Sequence, residues 1–148
     1  MAMLYLFHTS PTKIDKITAH GRFDEFLFFS TNVYVMTAAA TYITYRLEIP
    51  DSCIIDAREL FYHEDAAKLD ELVAKFCRRF SVDTETAEDI ISERRQLESC
   101  DGDEQWDVQL FTARAAKALG FRGVRVADEQ GSAYMIDMLG REAELFSL

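Results

Sequence analysis

The segment Thr41-Tyr42-Ile43-Thr44-Tyr45-Arg46-Leu47-Glu48-Ile49-Pro50 alternates apolar and polar residues. Ile43, Tyr45, Leu47 and Ile49 fall on one face, and Thr44, Arg46 and Glu48 on the other. Successive side chains of a strand point to opposite faces, so this period predicts a strand with one buried face. Pro50, which has no N–H to donate, ends it. Toward the N-terminus two more apolar runs predict strands. Leu4-Tyr5-Leu6-Phe7 stops at His8-Thr9-Ser10-Pro11, and Phe26-Leu27-Phe28-Phe29 lies between Gly21 and Ser30-Thr31-Asn32. The alanine-rich stretch 33–40 predicts one or two helical turns.

Beyond Pro50 the period changes. Leu69, Leu72, Val73, Phe76 and Phe80 recur at helical spacing, which predicts an amphipathic helix over about 65–80. Asp83 or Thr84 can cap a second helix with Ala87, Ile90, Ile91 and Leu97 inward. Gly102-Asp103 breaks the chain, and a third helix carries Trp106, Leu110, Ala113 and Leu119 before Gly120 as its stop. Strands return at 123–127 and 133–138, flanking Asp128-Glu129-Gln130-Gly131 as a hairpin turn. Strands, then helices, then strands predict an α+β fold, here in one domain spanning residues 1–148.

The 148 residues carry 16 Lys plus Arg against 26 Asp plus Glu, a net charge of −10. That balance argues against a protein that grips phosphate backbones or an anionic membrane surface, both of which need a basic stripe. It fits a basic protein partner, or an acidic mimic entering a nucleic-acid groove. Most of the charge is local: residues 83–107 hold ten acids and two bases, a net of −8, leaving 16 acids and 14 bases elsewhere. Cys53, Cys77 and Cys100 are odd in number and widely spaced, which predicts small apolar residues in a reducing cytosol and neither a disulfide framework nor a zinc site. No basic-then-apolar leader and no long apolar run is present, so a cytoplasmic location is expected.

No P-loop, GxGxxG or HExxH occurs. Three groups of residues could carry chemistry. His8 sits at a strand end beside Thr9 and Ser10, where a side chain can face a cleft. Asp128 and Glu129 pair two carboxylates in a turn. Phe26 to Phe29, with Tyr34 beyond, offers aromatic faces.

Together these pieces resemble the ADP-ribosyltransferase superfamily of the His-Tyr-Glu type. Its pattern has a first-strand His-Gly-Thr/Ser, a strand ending in Phe-Ser, a tyrosine on a short helix and an acid near a late strand. Here these are His8-Thr9-Ser10, Phe28-Phe29-Ser30, Tyr34 and Asp128. More narrowly, nearly the whole chain resembles the anti-CRISPR ADP-ribosyltransferases directed at type I-F surveillance complexes. The resemblance implies a split pair of packed sheets with an NAD cleft, plus a helical middle segment. It implies that His8 bonds a ribose hydroxyl, that Thr9 holds the nicotinamide carboxamide through its backbone with Ser10 in support, and that Ser30 lines the cleft. Tyr34 or Phe28 would stack on nicotinamide, and the loop from Gly21 to Asp24 would cover the dinucleotide. Asp128 would stabilise the cationic ribose, with Glu129 its rival; no metal is implied. The acceptor would be the subunit of the type I-F complex that reads the protospacer-adjacent motif. Thr9 departs from the pattern's glycine, and Asp128 from its glutamate. An acidic DNA mimic without enzymatic activity and a toxin-type transferase with another host target are the alternatives.

Overall fold

The computed structural model describes residues 2–10, 14, 16–17, 25–31, 43–97, 102–128 and 131–147, with the backbone alone at Asp128. Among the described residues, seven strands and three α-helices follow in chain order: β1 (Met3–Ser10), β2 (Phe26–Phe29), β3 (Ile43–Pro50), β4 (Ile54–Asp56), α1 (Asp70–Phe80), α2 (Thr84–Ile91), α3 (Gly102–Ala118), β5 (Gly123–Asp128), β6 (Gly131–Asp137) and β7 (Phe146–Ser147). The strands form two sheets. One is three-stranded in the order β1-β3-β7, the other four-stranded in the order β2-β6-β5-β4. All pairs are antiparallel except β4 with β5. The expected short helix at 33–40 lies outside the described residues.

Alternation builds two cores from the four-stranded sheet. Phe26, Val124, Val126, Ala133 and Met135 face the helices, joined by Phe76, Ile90, Ile91 and Ala116. Phe29, Tyr134 and Ile136 face the other way, onto Leu6, Leu47 and Ile49 of the three-stranded sheet. The molecule is therefore layered helices, sheet, sheet: the α+β class that the sequence pattern predicts, in the split sandwich with a helical segment that the resemblance implies. The alternation at 43–50 holds, with Tyr45, Leu47 and Ile49 buried.

The helical predictions hold with shifts at the ends. The expected helix at 65–80 is a 3₁₀ turn, Ala66–Leu69, running into α1. Asp83 caps α2, its carboxylate accepting from the Thr86 N–H at 2.8 Å. The Thr86 hydroxyl, together with that N–H, holds its carboxyl below the usual range. Leu97 packs on the core from beyond α2 and not from within it. Gly120 takes φ +94, and Phe121 N–H returns to the Ala116 carbonyl at 3.0 Å, closing α3 as expected of a glycine there. β4 and β7 have no counterpart in the prediction.

Two sets of contacts fix the layers on one another. Phe7 and Ser30 exchange backbone hydrogen bonds of 2.8 and 2.9 Å, stapling β1 to the end of β2. At the other end of β2, buried Glu25 pairs with Arg114 at 2.9 Å and Lys117 at 3.2 Å, and Lys117 also meets Asp137 at 3.2 Å. Burial disfavours the Lys117 charge, but bonds to Glu25 and Asp137 outweigh it and raise its pKa. This network fastens α3 to the edge of the four-stranded sheet.

Candidate active site

The inward row of β1 reads Leu4, Leu6, His8, Ser10, opposite Ile49, Leu47, Tyr45 and Ile43 of β3. The leucines belong to the inter-sheet core; the last two positions are polar. His8 Nδ1 lies 2.7 Å from the Phe28 carbonyl, and its ring sits 5.6 Å from that of Phe29. A carbonyl only accepts, so Nδ1 carries the proton and donates it. Burial pushes the His8 pKa down; the bond to Phe28 opposes this and loses. His8 is then a neutral imidazole at neutral pH, and its Nε2 keeps a lone pair that can accept a hydrogen bond.

The staple sets the backbone beside it. Phe7 turns its N–H and carbonyl toward β2. Backbone groups of an antiparallel ladder alternate sides, so those of Thr9 project the same way, away from β3 and into the gap where the two sheets part. The Thr9 side chain points to the opposite face, with its hydroxyl 3.3 Å from that of Thr44. This explains how threonine is accommodated at the position where the pattern has glycine: the strand is regular there, and the backbone remains presented to the gap. Ser10 and Ser30 are both buried, at 7% and 5% exposure. His8 thus meets the Phe28 carbonyl and the Phe29 ring beside the Phe7–Ser30 bridge, and Thr9 and Ser10 continue β1 beyond it. The Phe28 ring does not join them, because it packs on the helix-side core.

Asp128 closes β5 opposite Gly131, as the hairpin prediction requires. Tyr134 pairs with Phe29, three positions along β6 from Gly131. At about 3.3 Å per residue, the Asp128 backbone lies about 10 Å farther along the sheet, at the Ser30 end of β2. It is separated from β2 by the width of β6. Glu129, Gly21 and Tyr34 lie outside the described residues.

The sequence reading missed Glu93. It adopts a left-handed backbone, φ +62, and its carboxylate accepts from the Ala127 N–H at 3.0 Å, one residue before Asp128. Beside it Asp56 pairs with Arg125. Burial raises the Asp56 pKa, but the Arg58 N–H and the Arg125 guanidinium overcome this and hold it low.

Residues 6–141 match the family model described as "Anti-CRISPR Type I-F ADP-ribosyltransferase AcrIF11". The chain belongs to this family. The AcrIF11 model spans every strand of the two sheets except β7, although the first few residues of β1 precede it. A solved structure described as "Crystal structure of an anti-CRISPR protein" shares the fold, with a TM-score of 0.62 at 22% identity, covering 90% of this chain and 89% of that one. No curated protein matches the chain. Among the described residues no group of three His, Cys, Asp or Glu side chains could hold a metal ion, and no helix is long and apolar enough to cross a membrane.

Proposed function

We propose that this member of the AcrIF11 family, acting as one unit over residues 1–148, transfers a single ADP-ribose from NAD to the type I-F subunit that reads the protospacer-adjacent motif. It would do so in the host cytoplasm. The observation that carries the residue assignment is the tautomer of His8. With Nδ1 committed to the Phe28 carbonyl, Nε2 is left to accept from a ribose hydroxyl. The Thr9 backbone, facing the gap, has the donor and acceptor that a carboxamide needs. Ser10 and Ser30 support that strand end. Phe28 contributes its carbonyl, which leaves Tyr34 to stack on nicotinamide. The loop from Gly21 covers the dinucleotide.

NAD supplies an activated glycosidic bond. The bond from ribose C1′ to the nicotinamide nitrogen breaks, and its electron pair leaves with nicotinamide. The acceptor side chain forms the new bond to C1′ and loses a proton. Positive charge gathers on the ribose in between. A carboxylate already oriented toward it stabilises that charge better than water, which must reorganise. We assign this to Asp128, with Glu129 as the rival acid. The attached group carries two phosphates and would repel a DNA backbone from the groove it occupies.

The test is incubation of the purified protein with labelled NAD and an intact type I-F complex. Label should appear on one subunit, and Asp128→Ala should lower the rate by about 10²–10³-fold. Absence of any transfer, with inhibition only at equimolar protein, would favour an acidic mimic instead.

A further inference from the structure

Glu93 stands in an unusual place. β4 runs parallel to β5 only as far as Asp56, which pairs with Arg125. Beyond that point β5 continues through Ala127 to Asp128 with no strand on this side among the described residues. The Ala127 N–H is instead taken by Glu93, whose two carboxylate oxygens lie 3.0 and 3.4 Å away. Glu93 itself is held from behind. Its N–H bonds the Ile90 carbonyl at 3.1 Å, and that of Arg94 the Asp89 carbonyl at 2.8 Å. The Arg94 side chain bonds the Arg58 carbonyl at 2.7 Å and the Tyr62 hydroxyl at 2.6 Å. Thr112 of α3 donates to the Ile91 carbonyl at 2.8 Å.

A residue with a Cβ pays a conformational cost at φ +62, where glycine would not. Such positions cluster where the surroundings over-determine a geometry that function uses. Here the strained residue is the one that reaches the strand end bearing the assigned acid.

We propose that Glu93 is a positioning residue, whose carboxylate clamps the end of β5 and so sets where Asp128 stands in the cleft. This rests on the reading of Asp128 as the charge-stabilising acid. Burial raises the Glu93 pKa; the Ala127 N–H and Arg58 oppose this only in part, and Asp56 adds to it.

Three variants test it in the transfer assay, with Asp128→Ala and Glu129→Ala alongside. Glu93→Gly relieves the backbone strain but removes the acceptor, so it should fold normally. Its kcat should fall by about 10- to 100-fold, the range expected when a reacting group is misplaced, with KM for NAD nearly unchanged. Glu93→Ala should behave alike. Glu93→Gln keeps an oxygen for the Ala127 N–H and should restore most of kcat. Wild-type kcat in Glu93→Gly and Glu93→Ala, with Asp128→Ala inactive, would overturn the clamp and leave the acid assignment standing. Parallel loss of kcat, NAD binding and Tm in Glu93→Gly, without rescue by Gln, would make Glu93 a structural contact and also overturn it. Full activity in Asp128→Ala would instead remove the reading beneath it, and the clamp with it.

Discussion

Two effects compete on the His8 ring. Burial disfavours the imidazolium, and the Phe28 carbonyl favours it less strongly. The unfolded chain therefore binds a proton at a higher pH than the native state does. Stability from this site is full above the ordinary histidine value and is lost as pH falls through the lowered one. Melting temperature measured against pH should show this loss in the wild type, and His8→Gln should remove that component. Residue identity marked the strand ends where apolar runs give way to polar residues, and there His8 meets the end of β2 beside Ser30. What the residues could not show is which atoms face which way. Phe28 looks like a stacking ring in sequence, yet the pleat turns it to the helices and leaves its carbonyl to the site. Glu93 left no signal at all, because a left-handed glutamate after a helix is set by tertiary contacts and not by local pattern.

At the scale of elements, strength of periodicity decided what was legible. The eight residues of β3 and the capped helix α2 stand out because many positions agree. β4 is only three residues long, and its parallel partner lies some seventy positions away, so nothing local announces it. Its pairing leaves a mark at Gly123. A Cβ there would collide with the Ile136 side chain and approach the Met135 carbonyl to 2.8 Å and Ile54 to 3.0 Å. Gly123→Ala should destabilise the protein by about 1–3 kcal/mol, read as a lower Tm or denaturant midpoint. Thr112 makes a comparable tie between helices, its buried hydroxyl donating to Ile91. Thr112→Val keeps the shape but orphans that carbonyl, and should cost about 1–3 kcal/mol by the same measurement.

Across the whole molecule, the charge of −10 is divided among several tasks. Within the acidic segment Asp83 caps a helix, Asp107 pairs with Arg79 at 3.1 Å, and Glu93 holds the end of β5. Those three acids have partners inside the fold. Glu85, Glu88 and Asp89 remain at least partly exposed on α2 and could steer encounter with a basic nucleoprotein. Neutralising these three should slow modification of the target most at low ionic strength and leave NAD cleavage without target unchanged. The division also explains why the net charge pointed two ways in the sequence: a sum does not say which carboxylates have partners inside the fold. The most direct test of the central claim is transfer of label from NAD to an intact type I-F complex, by wild type and by Asp128→Ala. The account predicts label on one subunit at substoichiometric enzyme, and a loss of about 10²–10³-fold in the variant. Equal labelling by both proteins, or none by either, would contradict it.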